Sequence, residues 1–227
     1  MNQLEIHKTI EEFFKTGIDS ANIKIAQELL VNEDAKRFFF SQADSTWIDW
    51  LWQNGFLDEL KNKSKDTTYI SYHLPELDYL TRMAKENPII VTKIMLDKNM
   101  ATREDNFNPE VINGFLWVMT ILPTEQIKLL TAKIRDEKWV YLMRAFRKTG
   151  HEFDRIVKKL VEAKENDAIL ELAQALLVVR DKNDATWKTN NLDTFEPFYM
   201  GDINTSGIFE ALVNISDAYK EKALQVT

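Results

Sequence analysis

The chain has 227 residues, 44% of them hydrophobic and 29% charged, with a formal net charge of −7; this globular balance excludes a disordered chain. The absence of cysteine rules out disulfides, thiol nucleophiles, iron–sulfur clusters and cysteine-based zinc sites, and three histidines disfavour a histidine-rich metal site. An acidic chain is also a poor general nucleic-acid binder, because nonspecific affinity needs many phosphate neutralisations at once.

The first residues, Met1-Asn2-Gln3-Leu4-Glu5-Ile6-His7-Lys8, lack the basic start and apolar run of a secretory signal. The expectation is a cytoplasmic protein with no membrane span. Helical periodicity begins at once. Ile6, Ile10, Phe13 and Phe14 recur at i, i+4, i+7, i+8, and Ile23, Ala26, Leu29 and Leu30 make a second stripe. Asn32 is placed to cap a third helix through Ala35, Phe38 and Phe39. Trp47, Trp50 and Leu51 share the face of a short helix with Asp44 or Ser45 as its cap. Gly55 suits the left-handed position that ends it, and Phe56 and Leu57 fold back.

Residues 61–68 are polar and read as an exposed loop, and Tyr69-Ile70-Ser71-Tyr72 as an extended linker. The pattern then becomes regular. Pro75, Pro88 and Pro109 each stand at a first helical turn, where proline's missing N–H has no intrahelical partner to lose. Asn87 and Asn108 precede two of them as N-caps. The stripes predict helices over 75–86 (Leu77, Leu80 and Ala84 inward), 88–97 (Ile90, Val91, Ile94), 109–122 and 125–135 (Ile127, Leu130, Ile134). The third carries Val111, Ile112, Phe115, Leu116, Val118, Met119 and Leu122 around most of its circumference and should be packed on both sides. Trp139, Leu142, Met143 and Phe146 form a further face closed by Gly150. Phe153, Ile156, Val157 and Leu160 follow, then Ile169, Ala173, Leu176 and Leu177. An irregular segment, about 181–206, leads to a last helix from Gly207 with Phe209, Leu212 and Val213 inward.

Strand signals are nearly absent. The fold class is all-α, with antiparallel helix pairs stacked as an α-solenoid (an α-α superhelix), because helix pairs recur at the spacing of helical repeats; an irregular bundle is the alternative. The whole of 1–227 reads as one helical-repeat domain, subdivided into N-terminal helices (1–60), regular repeats (75–180) and an irregular loop with a final helix (181–227).

Two resemblances attach to these residues. The helix-pair rhythm resembles the HEAT and armadillo class. Phe38-Phe39-Phe40, Trp47 to Leu57, Tyr79-Leu80-Thr81-Arg82-Met83-Ala84 with Pro88 and Val91, and Leu122-Pro123 with Trp139 look like the helical N-terminal region of certain large bacterial multidomain proteins of mostly unassigned role. The second resemblance spans about 38–140. It implies a scaffold preceding an effector in a longer chain, and it brings no catalytic residues.

No phosphate-binding loop, dinucleotide glycine pattern, nucleophile elbow or zinc-protease motif occurs. The calcium-loop-like starts at Asp97 and Asp181 lack the central glycine. The sharpest feature is a basic island. Arg144, Arg147 and Lys148 fall at i, i+3, i+4, and Arg155, Lys158 and Lys159 repeat that spacing; on neighbouring helices they would form one ridge suited to phosphate or to an acidic surface. A solvated face neutralised by Glu152, Asp154 and Glu162 is the plainer reading. Trp52, off the main stripe, and Trp187, in the long loop, are the tryptophans expected at the surface as anchors for a partner. These eight residues are the expected partner-binding set. The functional expectation is an interaction scaffold or regulatory module, without catalytic activity, cofactor or metal, that binds a protein or a neighbouring domain. The alternative is a HEAT-like nucleic-acid-binding protein or alkylpurine DNA glycosylase, which would require a basic groove and a carboxylate near the sugar.

Overall fold

A computed structural model describes residues 3–19, 22–61, 74–97, 109–137, 139, 150–177 and 211–212. These residues hold ten α-helices and no β-strand: α1 (Gln3–Thr16), α2 (Asn22–Leu29), α3 (Glu33–Gln42), α4 (Ile48–Gln53), α5 (Pro75–Glu86), α6 (Pro88–Leu96), α7 (Pro109–Ile121), α8 (Thr124–Asp136), α9 (Gly150–Glu162) and α10 (Asn166–Leu177). Short 3-10 turns at Ser45–Trp47 and Asp58–Leu60 flank α4. The all-α expectation holds, and among the described residues no helix is long and apolar enough to cross a membrane.

The local signals act as their chemistry requires. Asn32 Oδ1 accepts from Ala35 N–H at 3.0 Å and opens α3. Asp44, not Ser45, opens the next turn, accepting from Thr46 N–H at 2.9 Å. Gly55 has φ +78°. Around it Phe56 N–H donates to Leu51 O and Gly55 N–H to Trp52 O, the paired bonds that satisfy the last carbonyls of a helix. Pro75, Pro88 and Pro109 are the first residues of α5, α6 and α7. Two expectations fail. Asn87 makes no side-chain cap to α6. Gly150, expected to close the helix before it, is instead the first residue of α9. Asn108, the 62–73 segment, Leu142, Met143, Phe146, the 181–206 segment, Phe209 and Val213 lie outside the described residues.

The helices pack in two rows. One runs α1–α3–α5–α7–α9 and the other α4–α6–α8–α10, each helix touching the next in its row, while α2 belongs to neither. The rows face each other through α5–α6, α8–α9 and α9–α10. As expected, α7 is packed on both sides, by α5 and α9, and Val111, Ile112, Phe115, Leu116, Val118 and Met119 are buried. Leu77 and Ile90, predicted inward, are half-buried at the edge of the core. The N-terminal end of the core is aromatic: Phe13 meets Trp47 at 5.4 Å, Trp47 meets Trp50 at 5.5 Å, and Phe56 stacks on Trp50 at 4.9 Å. Trp47, Ile48, Trp50 and Leu51 are therefore core, with Trp52 and Phe56 half-buried against them.

One polar device recurs along both rows. Arg82 of α5 donates to Phe40 O and, at 3.2 Å, to Ala43 O at the end of α3. Lys133 of α8 donates to Asp97 O at the end of α6, at 2.8 Å. Lys159 of α9 donates to Leu122 O at the end of α7, at 3.0 Å. Each cation closes the carboxyl end of the preceding helix in its own row, where unsatisfied carbonyls and the negative end of the helix dipole favour positive charge. The separations are 42 and 39, 36, and 37 residues.

Candidate functional site

α2 ends, the chain turns through Val31 and Asn32, and α3 begins; the turn after α4 and the start of α5 close in from the other side. Between them lies a cleft of about 720 Å3 lined by Gln27, Leu30, Val31, Glu33, Lys36, Arg37, Phe40, Gly55, Phe56, Asp58, Glu59, Leu74, Pro75 and Glu76. Its size falls within the range of small-ligand pockets. Val31 is 82% exposed at its mouth, and Phe40 and Phe56 supply aromatic walls.

The floor is an ion pair. Glu76, in the first turn of α5, is fully buried, and Lys36 Nζ from α3 lies 2.6 Å from its Oε1; the lysine side chain is 12% exposed. Glu76 Oε2 is buried without a hydrogen-bond partner. Burial pushes the Glu76 carboxyl above the usual glutamate value, the Lys36 hydrogen bond and charge and the residue's own backbone N–H oppose that shift, and Glu59 adds a smaller like-charge push upward. A buried acceptor left unpaired costs about 1–3 kcal/mol, so this oxygen is a standing demand for a donor. Four carboxylates line the cleft against two cations. Asp58 is held by Lys61 at 2.5 Å and rests against Gly55, where a Cβ would come 3.3 Å from Asp58 Oδ2.

The predicted partner-binding residues divide. Arg144, Arg147, Lys148 and Trp187 lie outside the described residues. Arg155 is exposed on α9, its guanidinium 5.5 Å from the centre of the Trp117 ring. Lys158 is exposed and 4.0 Å from Glu162. Lys159 turns inward to close α7, and burial lowers its ammonium pKa; its spacing from Arg155 and Lys158 does not place it on their surface. Trp52 is half-buried against the core. Among the described residues the exposed tryptophan is Trp117, at 42%, which the apolar circumference of α7 hid among core residues.

The Lys36–Glu76 pair was not foreseen. An acidic residue after a helix-opening proline is an ordinary first-turn choice, and nothing in the local pattern marks it as buried. The one available signal was its partner, Lys36, one residue after the α3 core position Ala35. Among the described residues no group of His, Asp and Glu is arranged to hold a metal ion. No protein-family model matches the chain, and no curated protein or solved structure matches it.

Proposed function

We propose that the chain is a helical-repeat interaction module, its two rows of helices forming the layers of a HEAT-like α-solenoid, and that it works by holding a protein partner or a neighbouring domain. The observation that carries this reading is the recurring clamp of Arg82, Lys133 and Lys159. In a stack of repeats each unit touches only its neighbours, so a contact that succeeds once is repeated at the repeat spacing. A helix-closing cation that returns 36 to 42 residues after its acceptor is a device of that kind. It is supported by the order of packing, in which the helices of each row meet in turn. Such stacks offer long continuous faces to partners. On the α7–α9 face, Trp117 and Arg155 are stacked and exposed, and both residue types are enriched among the anchors of protein interfaces.

Co-expression with the products of neighbouring genes, followed by size-exclusion chromatography, tests this. The expected result is a stable complex that Trp117→Ala weakens about tenfold without altering the helical circular dichroism signal. A chain that stays monomeric with every candidate overturns the reading.

A further inference from the structure

We propose that the cleft between α2, α3 and the start of α5 binds a cationic group, a guanidinium or ammonium on an aliphatic stem, with Glu76 Oε2 accepting its hydrogen bond. Three independent features meet there. The cleft has a volume of about 720 Å3, enough for a long side chain or a small polyamine. Its carboxylates, Glu33, Asp58, Glu59 and Glu76, outnumber Lys36 and Arg37, so the field inside favours positive charge. At its floor a fully buried carboxylate keeps one oxygen without a hydrogen-bond partner, although its other oxygen is committed to Lys36.

These features select the ligand. A donor on Oε2 satisfies the unpaired acceptor, and a charged donor does so more strongly than a neutral one. Phe40 and Phe56 line the approach and suit an aliphatic stem or the flat face of a guanidinium. An anion would face the carboxylate majority, and a wholly apolar ligand would leave Oε2 unpaired. The site stands apart from the α7–α9 face and from the question of whether the rows serve a protein partner.

The test is a titration of the isotopically labelled full chain, followed by nuclear magnetic resonance. The probes are N-acetyl-arginine amide, spermidine and the neutral isostere N-acetyl-citrulline amide. The expected result is amide shifts concentrated at Gly55–Glu59 and Leu74–Leu77, with citrulline amide bound about tenfold more weakly than arginine amide. Glu76→Gln should weaken binding of arginine amide about tenfold, and Glu59→Gln at the exposed rim roughly twofold. If Glu76→Gln does not fold, the rim variant and the citrulline comparison decide. Tighter arginine amide identifies a peptide side chain as the source of the cation, and tighter spermidine a free polyamine; both keep the proposal. Equal binding of citrulline amide, shifts elsewhere on the chain, no shift with either cation, or undiminished binding by a folded Glu76→Gln overturns it.

Discussion

Leu77 of α5 occupies the space that a side chain on Gly114 of α7 would need: a Cβ on Gly114 would lie 2.8 Å from Leu77 Cδ2 and 3.0 Å from its Cγ. The two helices are row neighbours, and the missing methyl lets them close.

Gly114→Ala therefore sets two effects against each other. Alanine favours the helix by about 0.5–1 kcal/mol, while overpacking costs about 1–3 kcal/mol. The clash wins, and a net loss of about 1 kcal/mol is expected in urea denaturation. In a Leu77→Ala background the same change becomes stabilising, because only the helix term remains. A penalty unchanged by Leu77→Ala would show that the pair does not set the α5–α7 distance.

Lys164, just past α9, has φ +59°. It ends that helix as Gly55 ends α4: Glu165 N–H donates to Leu160 O at 2.9 Å and Lys164 N–H to Val161 O at 3.0 Å. A side chain in the left-handed region costs about 1–2 kcal/mol. Lys164→Gly removes that strain and should raise stability by about 1 kcal/mol, read as a higher melting temperature. A lower one would mean that the lysine side chain outweighs its backbone strain.

Lys158 and Lys159 are adjacent in sequence and opposite in role. Lys159→Met leaves Leu122 O without its donor and should cost about 1–2 kcal/mol. Lys158→Met removes a cation that is mostly solvated, and it should change stability by less than about 0.5 kcal/mol. Equal effects in a thermal melt would contradict the inward placement of Lys159.

The buried pair in the cleft makes a prediction with a definite sign. Glu76 is flanked by Lys36 and Glu59, and burial raises its pKa above the usual 4.5. Between those two values the folded chain binds more protons than the unfolded one, so this residue's contribution to stability falls as pH rises through the raised value. Lys36→Met takes away the charge that opposes this shift. It should cost about 3 kcal/mol near neutrality, and less as the pH falls through the raised value, where the carboxyl becomes neutral. A cost independent of pH would show that Lys36 contributes packing and not charge.

The helices were legible because an apolar stripe every third or fourth residue must be buried, and prolines and Gly55 punctuate it. The Lys36–Glu76 pair, the clamps and Trp117 were not. Each depends on the direction in which a neighbouring helix approaches, which the spacing along one helix does not encode. Lys159 illustrates this: its interval from Arg155 and Lys158 suggests one continuous ridge, yet the end of α7 lies within its reach and draws the ammonium inward. Trp117 is the converse. Leu116 and Val118 beside it in sequence are fully buried, yet Trp117 itself is 42% exposed. Gly150 shows the limit of a single-residue signal, since glycine punctuates the chain between two helices without stating to which it belongs.

The clamps also give the rows a polarity. α3, α6 and α7 are each fastened at the tail by a side chain that arrives one rod later in the row, so the fastening holds only while that later rod is folded. Loosening α9 withdraws Lys159 from α7, and loosening α5 withdraws Arg82 from α3. Damage in either row therefore travels against the direction of the chain, from later rods to earlier ones.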